Sequence, residues 1–148
     1  MANASGDPNW KKKVATVMME YQYDPKWLAA SSENRKLFES RVDKSANSRR
    51  PQKMIALQAA AIAQVDTRPD LPNIPASLPV LVIHGKLDRM VAYSESEHII
   101  KNVKHAVRLD PGEKGDQYAH FWFDYFGSQW WADQIETYLQ SGSIQAKL

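Results

Sequence analysis

Apolar positions in the first half of the chain recur at the spacing of an α-helix. One stripe, at i, i+4, i+7, i+8 and i+11, is formed by Trp10, Val14, Val17, Met18 and Tyr21. Another stripe follows a helix start signal at Arg50-Pro51 and is formed by Met54, Leu57, Ala61 and Val65. Apolar residues on one helical face are buried together when the helix packs on a neighbour. The pattern therefore predicts several amphipathic helices in the first half, each with an apolar stripe on one face.

Proline positions divide the chain into two parts. Asp24-Pro25 is typical of a helix start, because Asp can cap the first turn and Pro fits within it. Pro69, Pro72 and Pro75 then interrupt regular structure for about ten residues. We therefore predict a helical region over residues 1–75 and a second region over residues 76–148.

The second region alternates between strand and helix patterns. Val80–Ile83 is continuously apolar, as in a strand buried on both faces of a parallel sheet. Ser94–Glu97 reads as a capping box that opens a helix, and Ala106–Leu109 reads as a second short strand. A last helix is predicted over about Ser128–Gln140. The order strand, helix, strand, loop, helix predicts two parallel strands and the α/β class.

Two short parallel strands are too few for a stable sheet, since parallel sheets are covered on both faces and contain several strands. An apolar strand with an unpaired edge also invites pairing with another chain. The pattern thus indicates part of a larger fold, or self-association through the exposed strand edge.

Composition restricts the kinds of site and partner. The 19 Lys and Arg residues exceed the 17 Asp and Glu residues by two, which argues against a nucleic-acid partner. Cysteine is absent, so disulfides, thiol nucleophiles and Cys-ligated zinc are excluded. No apolar run approaches the roughly 18 residues of a membrane span, and the first residues do not resemble a signal peptide. We expect a soluble, cytoplasmic protein without a membrane span.

Asp88 and His120 are the candidate catalytic residues. Asp88 follows the first predicted strand, at the end where α/β sheets place functional loops. His120 lies 32 residues later, in a loop before the last predicted helix. An acid and then a histidine in these places match the last two members of a nucleophile–acid–His triad. Each alone also has a structural interpretation, as a turn-forming Asp or an aromatic-packed His, but the pair favours the catalytic one.

The other histidines are interpreted as structural. His84 is expected to be a core histidine with satisfied hydrogen bonds, and His98 and His105 are expected at the surface. Four scattered histidines without spaced carboxylates do not predict a zinc site. The dense aromatic block around residues 118–131 predicts core contacts, with one or two rings beside His120 able to wall a substrate pocket. No cofactor and no metal are expected.

Two segments carry a resemblance to the α/β-hydrolase superfamily, specifically its carboxylesterase, lipase and epoxide-hydrolase-like members. Leu78–Val91, LPVLVIHGKLDRMV, resembles the family stretch PxLVIHGxxDxxV, in which the Asp is the triad acid. Tyr118–Phe123, YAHFWF, is similar to the family loop that carries the triad His, with Ala119 where a Gly commonly stands. Asp88 and His120 occupy the positions of that acid and that histidine.

The resemblance extends over about residues 8–140. Residues 10–65 look like the helical cap, or lid, that such hydrolases insert before their last two strands, and Tyr23–Leu28 and Arg49–Pro51 are similar to segments of cap-bearing members. The implied fold is α/β: a partial α/β-hydrolase fold with a cap over residues 1–75 and the last two parallel strands with their helices over residues 76–148.

The resemblance implies hydrolysis of an ester or similar bond in a small apolar substrate, without a cofactor. The family's first six strands, its oxyanion-hole loop and its Gly-x-Ser-x-Gly nucleophile elbow do not occur in this sequence. We therefore expect the chain to supply the triad acid and His, and to be inactive alone. The missing nucleophile is Ser or Asp. The alternatives are a non-catalytic interaction module and a truncated gene product.

Overall fold

The computed structural model describes residues 6–48 and 52–141. The chain divides after Asp66 into two compact units, Met1–Asp66 and Thr67–Leu148. The first unit contains helices α1 Trp10–Glu20, α2 Pro25–Ala30, α3 Ser32–Ala46 and α4 Gln52–Gln64. The second contains strand β1 Leu81–Val82, helix α5 Tyr93–Asn102, strand β2 Val107–Arg108 and helix α6 Ser128–Ser141. Short 3-10 turns cover Arg68–Asn73, Gly112–Lys114 and Trp122–Asp124.

The predicted α/β class, with a partial α/β-hydrolase fold, is wrong. About 60% of the described residues are helical, and the sheet in this part of the chain has only two strands of two residues each. The strands do run parallel, with Leu81 opposite Val107. The apolar run Val80–Ile83 predicts a longer strand, but a ladder extends only as far as its neighbour, and β1 pairs with the short β2 alone.

The core of the first unit is aromatic. Tyr23 is fully buried, stacks on Trp27 with 5.3 Å between ring centroids, and meets the edge of Phe38 at 5.8 Å. The predicted start at Asp24-Pro25 is confirmed, because the Asp24 carboxylate accepts the N–H of Trp27 at 3.0 Å and caps α2. This cap directs α2 and α3 against the same aromatic core.

Both apolar stripes are largely exposed. In α1, Val17 is 53% exposed, while the buried residue is Ala15. The helix meets α3 through the face of Ala15, and Lys12 on that side pairs with Asp43 at 2.7 Å. The apolar residues of α4 are also exposed, among them Met54, Ile55, Leu57 and Ile62, and so is Val65 directly after the helix. The predicted helix start at Arg50-Pro51 lies outside the described residues.

The second unit is organised around the strand pair. The N–H groups of Val107 and Leu109 donate to the carbonyls of Val80 and Val82, both at 2.9 Å. Helix α5 packs against β1. The predicted capping box at Ser94–Glu97 is absent, since α5 begins at Tyr93 without a side-chain cap. The buried residues of this unit are Val82, Gly85, Ser96, Val103, Leu109, Tyr118, Ala119, Tyr125, Trp131 and Tyr138.

Among the described helices, none combines the length and the apolar character needed to cross a membrane. The interpretation of residues 1–75 as a lid stays a prediction.

Two tyrosines in the first unit test the assignment of its core. We expect Tyr23→Ala to lower the free energy of unfolding by about 3–5 kcal/mol, the usual cost of removing a buried aromatic side chain. Tyr21 is 52% exposed, so Tyr21→Ala serves as the matched control and should change it by only about 0.5 kcal/mol. Urea unfolding followed by circular dichroism measures both. Equal losses would contradict the assigned core.

Candidate functional site

Asp88 lies in a turn that follows β1. The chain leaves β1 at Val82, and the N–H of Asp88 donates to the carbonyl of Gly85 at 3.3 Å, which closes the turn. The Asp88 side chain is only 6% exposed. The turn therefore holds the carboxylate inside the second unit rather than in solvent.

The same loop is hydrogen-bonded to the segment that leads to His120. The N–H of Lys86 donates to the carbonyl of Asp116 at 2.9 Å. The N–H of Leu87 donates to the carbonyl of Tyr118 at 3.1 Å. These two bonds join chain segments about 30 residues apart and bring the loop histidine to the acid.

The close approach of the two segments depends on Gly85. This residue is buried. A Cβ atom at this position would overlap both the carbonyl oxygen and the ring of Tyr118. Only glycine leaves room for this approach of backbone to backbone.

Each oxygen of the Asp88 carboxylate has a hydrogen-bond donor. Oδ1 accepts the N–H groups of Met90 at 2.8 Å and Val91 at 2.9 Å. Oδ2 lies 2.9 Å from Nδ1 of His120. Burial raises the pKa of Asp88, but the hydrogen bonds from Val91, His120 and Met90 outweigh it, so that the pKa lies below its ordinary value of 3.8. Asp88 is therefore an ionised carboxylate at neutral pH.

The ionised acid determines which nitrogen of His120 carries the proton. A carboxylate only accepts hydrogen bonds, so Nδ1 must be the donor in this contact. In the neutral imidazole the basic lone pair then lies on Nε2. The ring is 36% exposed, and Nε2 has no hydrogen-bond partner among the described residues. This arrangement suits a general base.

His84 approaches the same carboxylate, which the sequence did not indicate. Its side chain is 11% exposed, and Nε2 lies 3.3 Å from Oδ2 of Asp88. The geometry is not that of a hydrogen bond, so this buried nitrogen has no hydrogen-bond partner in the described part of the chain. The expectation of a satisfied core histidine is wrong. The spacing of four residues across a turn was the available signal, since it allows the two side chains to meet.

The aromatic residues anchor the histidine segment. Tyr118 is 1% exposed and meets the edges of Phe126 at 5.9 Å and Trp131 at 5.3 Å. The indole N–H of Trp131 donates to the carbonyl of Tyr125 at 2.6 Å. Burial, with the nearby Tyr93 and Asp116 adding to it, raises the pKa of Tyr118 to about 12, so its phenol is neutral at physiological pH. Tyr118 therefore acts as a packing residue two positions before His120.

Within residues 6–48 and 52–141, no three His, Asp or Glu side chains are arranged to hold a metal ion. His84 and His120 both face one oxygen of Asp88 rather than a common open point. An open depression of about 530 Å³ in the first unit contains none of these three residues; its lining consists of Lys36, Glu39, Ser40, Asp43, Lys44 and Asn47.

Comparison with known proteins gives no match to this chain, whether with protein-family models, curated proteins or solved structures. The relationship to α/β hydrolases therefore stays a prediction, and so do the catalytic roles of Asp88 and His120.

Gly85 offers a test of how the site is assembled. We expect Gly85→Ala to separate Tyr118 from the Asp88 turn, because the added methyl group takes the space of the Tyr118 carbonyl. Overpacking of this kind costs about 1–3 kcal/mol. NMR should show the loss of the Asp88–His120 contact.

Gly112→Ala is the control for this substitution. Gly112 has a φ of 59°, and a Cβ there would meet nothing within 4 Å. The strain of a left-handed backbone costs about 1–2 kcal/mol, so stability falls while the contact between the two side chains persists. A contact that survives Gly85→Ala would contradict the assigned role of this glycine.

The lowered pKa of Asp88 predicts a pH dependence of stability. A carboxyl group with a lower pKa in the folded state stabilises the fold above its unfolded pKa of about 3.9, and this contribution is lost as the pH falls through the folded value. We expect Asp88→Asn to destabilise the second unit at pH 6. On further acidification, the variant protein should lose less stability than the wild type.

The measurement is urea unfolding followed through the amide resonances of Val107 and Leu109, which report on the strand pair. The pKa of Asp116 is also lowered, chiefly by the hydrogen bond from Lys86, but this pair is unchanged in the variant. The difference between variant and wild type therefore isolates Asp88. Parallel pH curves for the two proteins would contradict the prediction.

Proposed function

We propose that Asp88 and His120 form the acid–base pair of a hydrolase that cleaves an ester or similar bond. The observation that carries this proposal is the 2.9 Å contact between Oδ2 of Asp88 and Nδ1 of His120, with Nε2 of the imidazole unpartnered in the described residues. A buried acid that orients an accessible imidazole is the arrangement that activates a nucleophile in triad hydrolases.

The proposal gives each group a role. His120 Nε2 takes a proton from the attacking nucleophile and later gives it to the leaving group. Asp88 fixes the tautomer and stabilises the imidazolium that forms. Its two backbone donors, Met90 and Val91, keep the carboxylate from turning away during the cycle. The pair supplies proton transfer and needs no cofactor for that step.

The nucleophile and the oxyanion donors come from outside the described residues in this proposal. No described hydroxyl group is hydrogen-bonded to His120. Loss of a triad nucleophile costs about 10⁶-fold in kcat, so the 148-residue chain alone should not turn over esters. Phe121, with its ring centroid 6.0 Å from that of His120, is placed to contact a small apolar substrate.

A second candidate function is that of a non-catalytic interaction module. It is favoured by α4, whose apolar side chains are exposed on every side, with Ile62 at 75% exposure, and by Val65 directly after the helix at 65%. A helix that is apolar all round is normally covered. Self-association or the docking of another protein would bury this surface. The cytoplasmic location stays a prediction for either function.

The test extends the chain by the coding sequence that lies in frame before the codon of Met1. We expect this sequence to add a Gly-x-Ser-x-Gly elbow or a corresponding Asp, and the extended protein to hydrolyse p-nitrophenyl esters. Asp88→Asn should then lower kcat by about 10⁴-fold, and His120→Asn should lower it by about 10⁶-fold. Asp110→Asn, a change in a nearby exposed loop, is the control.

Two results would contradict the proposal. Turnover by the 148-residue chain that is lost in both variants would show that the nucleophile is within it. An in-frame stop before Met1, with no turnover, would contradict the hydrolase itself. In that case, concentration-dependent sedimentation that Ile62→Lys removes would support the interaction module.

A further inference from the structure

One oxygen of Asp88 faces two imidazoles. Oδ2 lies 2.9 Å from Nδ1 of His120 and 3.3 Å from Nε2 of His84. The other oxygen is already occupied by the N–H groups of Met90 and Val91. A carboxylate oxygen has about two lone-pair directions, so Oδ2 retains capacity for one donor besides His120.

His84 is held where it faces this oxygen. Its side chain is 11% exposed, and its ring lies beside that of Tyr93, with 5.5 Å between the ring centroids. The Nε2 atom is shielded from solvent and has no hydrogen-bond partner among the described residues. No other described side chain competes with Asp88 for this nitrogen.

The charge of Asp88 selects the tautomer of His84. A proton on Nε2 lies next to an ionised oxygen and is attracted to it even without an aligned hydrogen bond. An unprotonated Nε2 would instead point its lone pair at the same negative oxygen. The Nε2–H tautomer is therefore the favoured neutral form, and two N–H groups converge on Oδ2.

We propose that His84 is a positioning residue of the Asp88–His120 pair. The Nε2–H group of His84 attracts part of the negative charge on Oδ2 and so sets how strongly Asp88 holds His120. Its catalytic meaning rests on the proposed hydrolase function. The arrangement itself can be tested without a substrate, so that its failure is distinguishable from failure of that function.

The test is long-range proton–nitrogen NMR on the 148-residue chain above about pH 8, where an ordinary imidazole is neutral. Coupling to the carbon-bound ring protons reports the tautomer even when the N–H proton exchanges rapidly. We expect the Nε2–H tautomer for His84 and the Nδ1–H tautomer for His120. The Nδ1–H tautomer for His84 in the wild type would overturn the proposal, and this measurement needs no variant to fold.

Two substitutions then separate charge sharing from packing. His84→Phe keeps a ring beside Tyr93 but removes the N–H group, and His84→Gln keeps an N–H donor near the position of Nε2. We expect the Nδ1 resonance of His120 to move downfield in His84→Phe, because Oδ2 then faces the N–H group of His120 without that of His84. The resonance should stay near its wild-type position in His84→Gln.

A purely structural His84 predicts a different result. If the residue only packs against Tyr93, His84→Phe leaves the His120 Nδ1 resonance unchanged, and this outcome would overturn the proposal. A shift of equal size in both variants would also overturn it, because it would follow the loss of the imidazole rather than the loss of the N–H group. Asp88→Asn provides the reference for complete loss of the carboxylate charge.

Discussion

The site depends on the docking of the Asp116–Tyr118 backbone on the loop after β1. The two hydrogen bonds to Lys86 and Leu87 are possible only because Gly85 has no side chain. Once the carbonyl of Tyr118 occupies this space, the chain two residues later must pass beside the Asp88 turn. The contact of His120 with Asp88 is a consequence of this backbone approach, and the buried Tyr118 ring holds the approach in place.

The electrostatics of the site follow from the number of donors around one carboxylate. Burial opposes the ionisation of Asp88, yet the backbone N–H groups and His120 together reverse this effect and lower its pKa. Backbone donors are fixed by the turn and do not depend on protonation, so the contributions of Met90 and Val91 to the lowered pKa of Asp88 do not depend on an imidazole.

The sequence predicted that Asp88 and His120 act together, but it did not predict the residues and elements around them. Asp88 and His120 could be predicted because the order strand, acid, loop and histidine is a property of the chain. The contact of His84 with Asp88 was missed, because the spacing of four residues only allows it, while the shape of the turn, set by Gly85 and Tyr118, decides it. The exposed stripe of α1 has the same cause: spacing shows which residues share a face, while the small Ala15 decides which face meets α3. The two-residue strands likewise reflect the available partner, not the length of the apolar run at Val80–Ile83.

The error in fold class and the observed contact of Asp88 with His120 are compatible, because a fold class and a contact depend on different amounts of structure. A sheet class requires several strands that pair side by side, whereas the pair requires one strand end, one tight turn and one docked loop. The second unit contains these three parts, with Leu109 bonded to Val82 on one side of the site and Trp131 packed on Tyr118 on the other. Aromatic side chains of α6 thus position the His120 segment, as neighbouring strands would in a wider sheet. An acid–base pair held in this way needs little β-structure, and the geometry at Asp88 is local to the second unit.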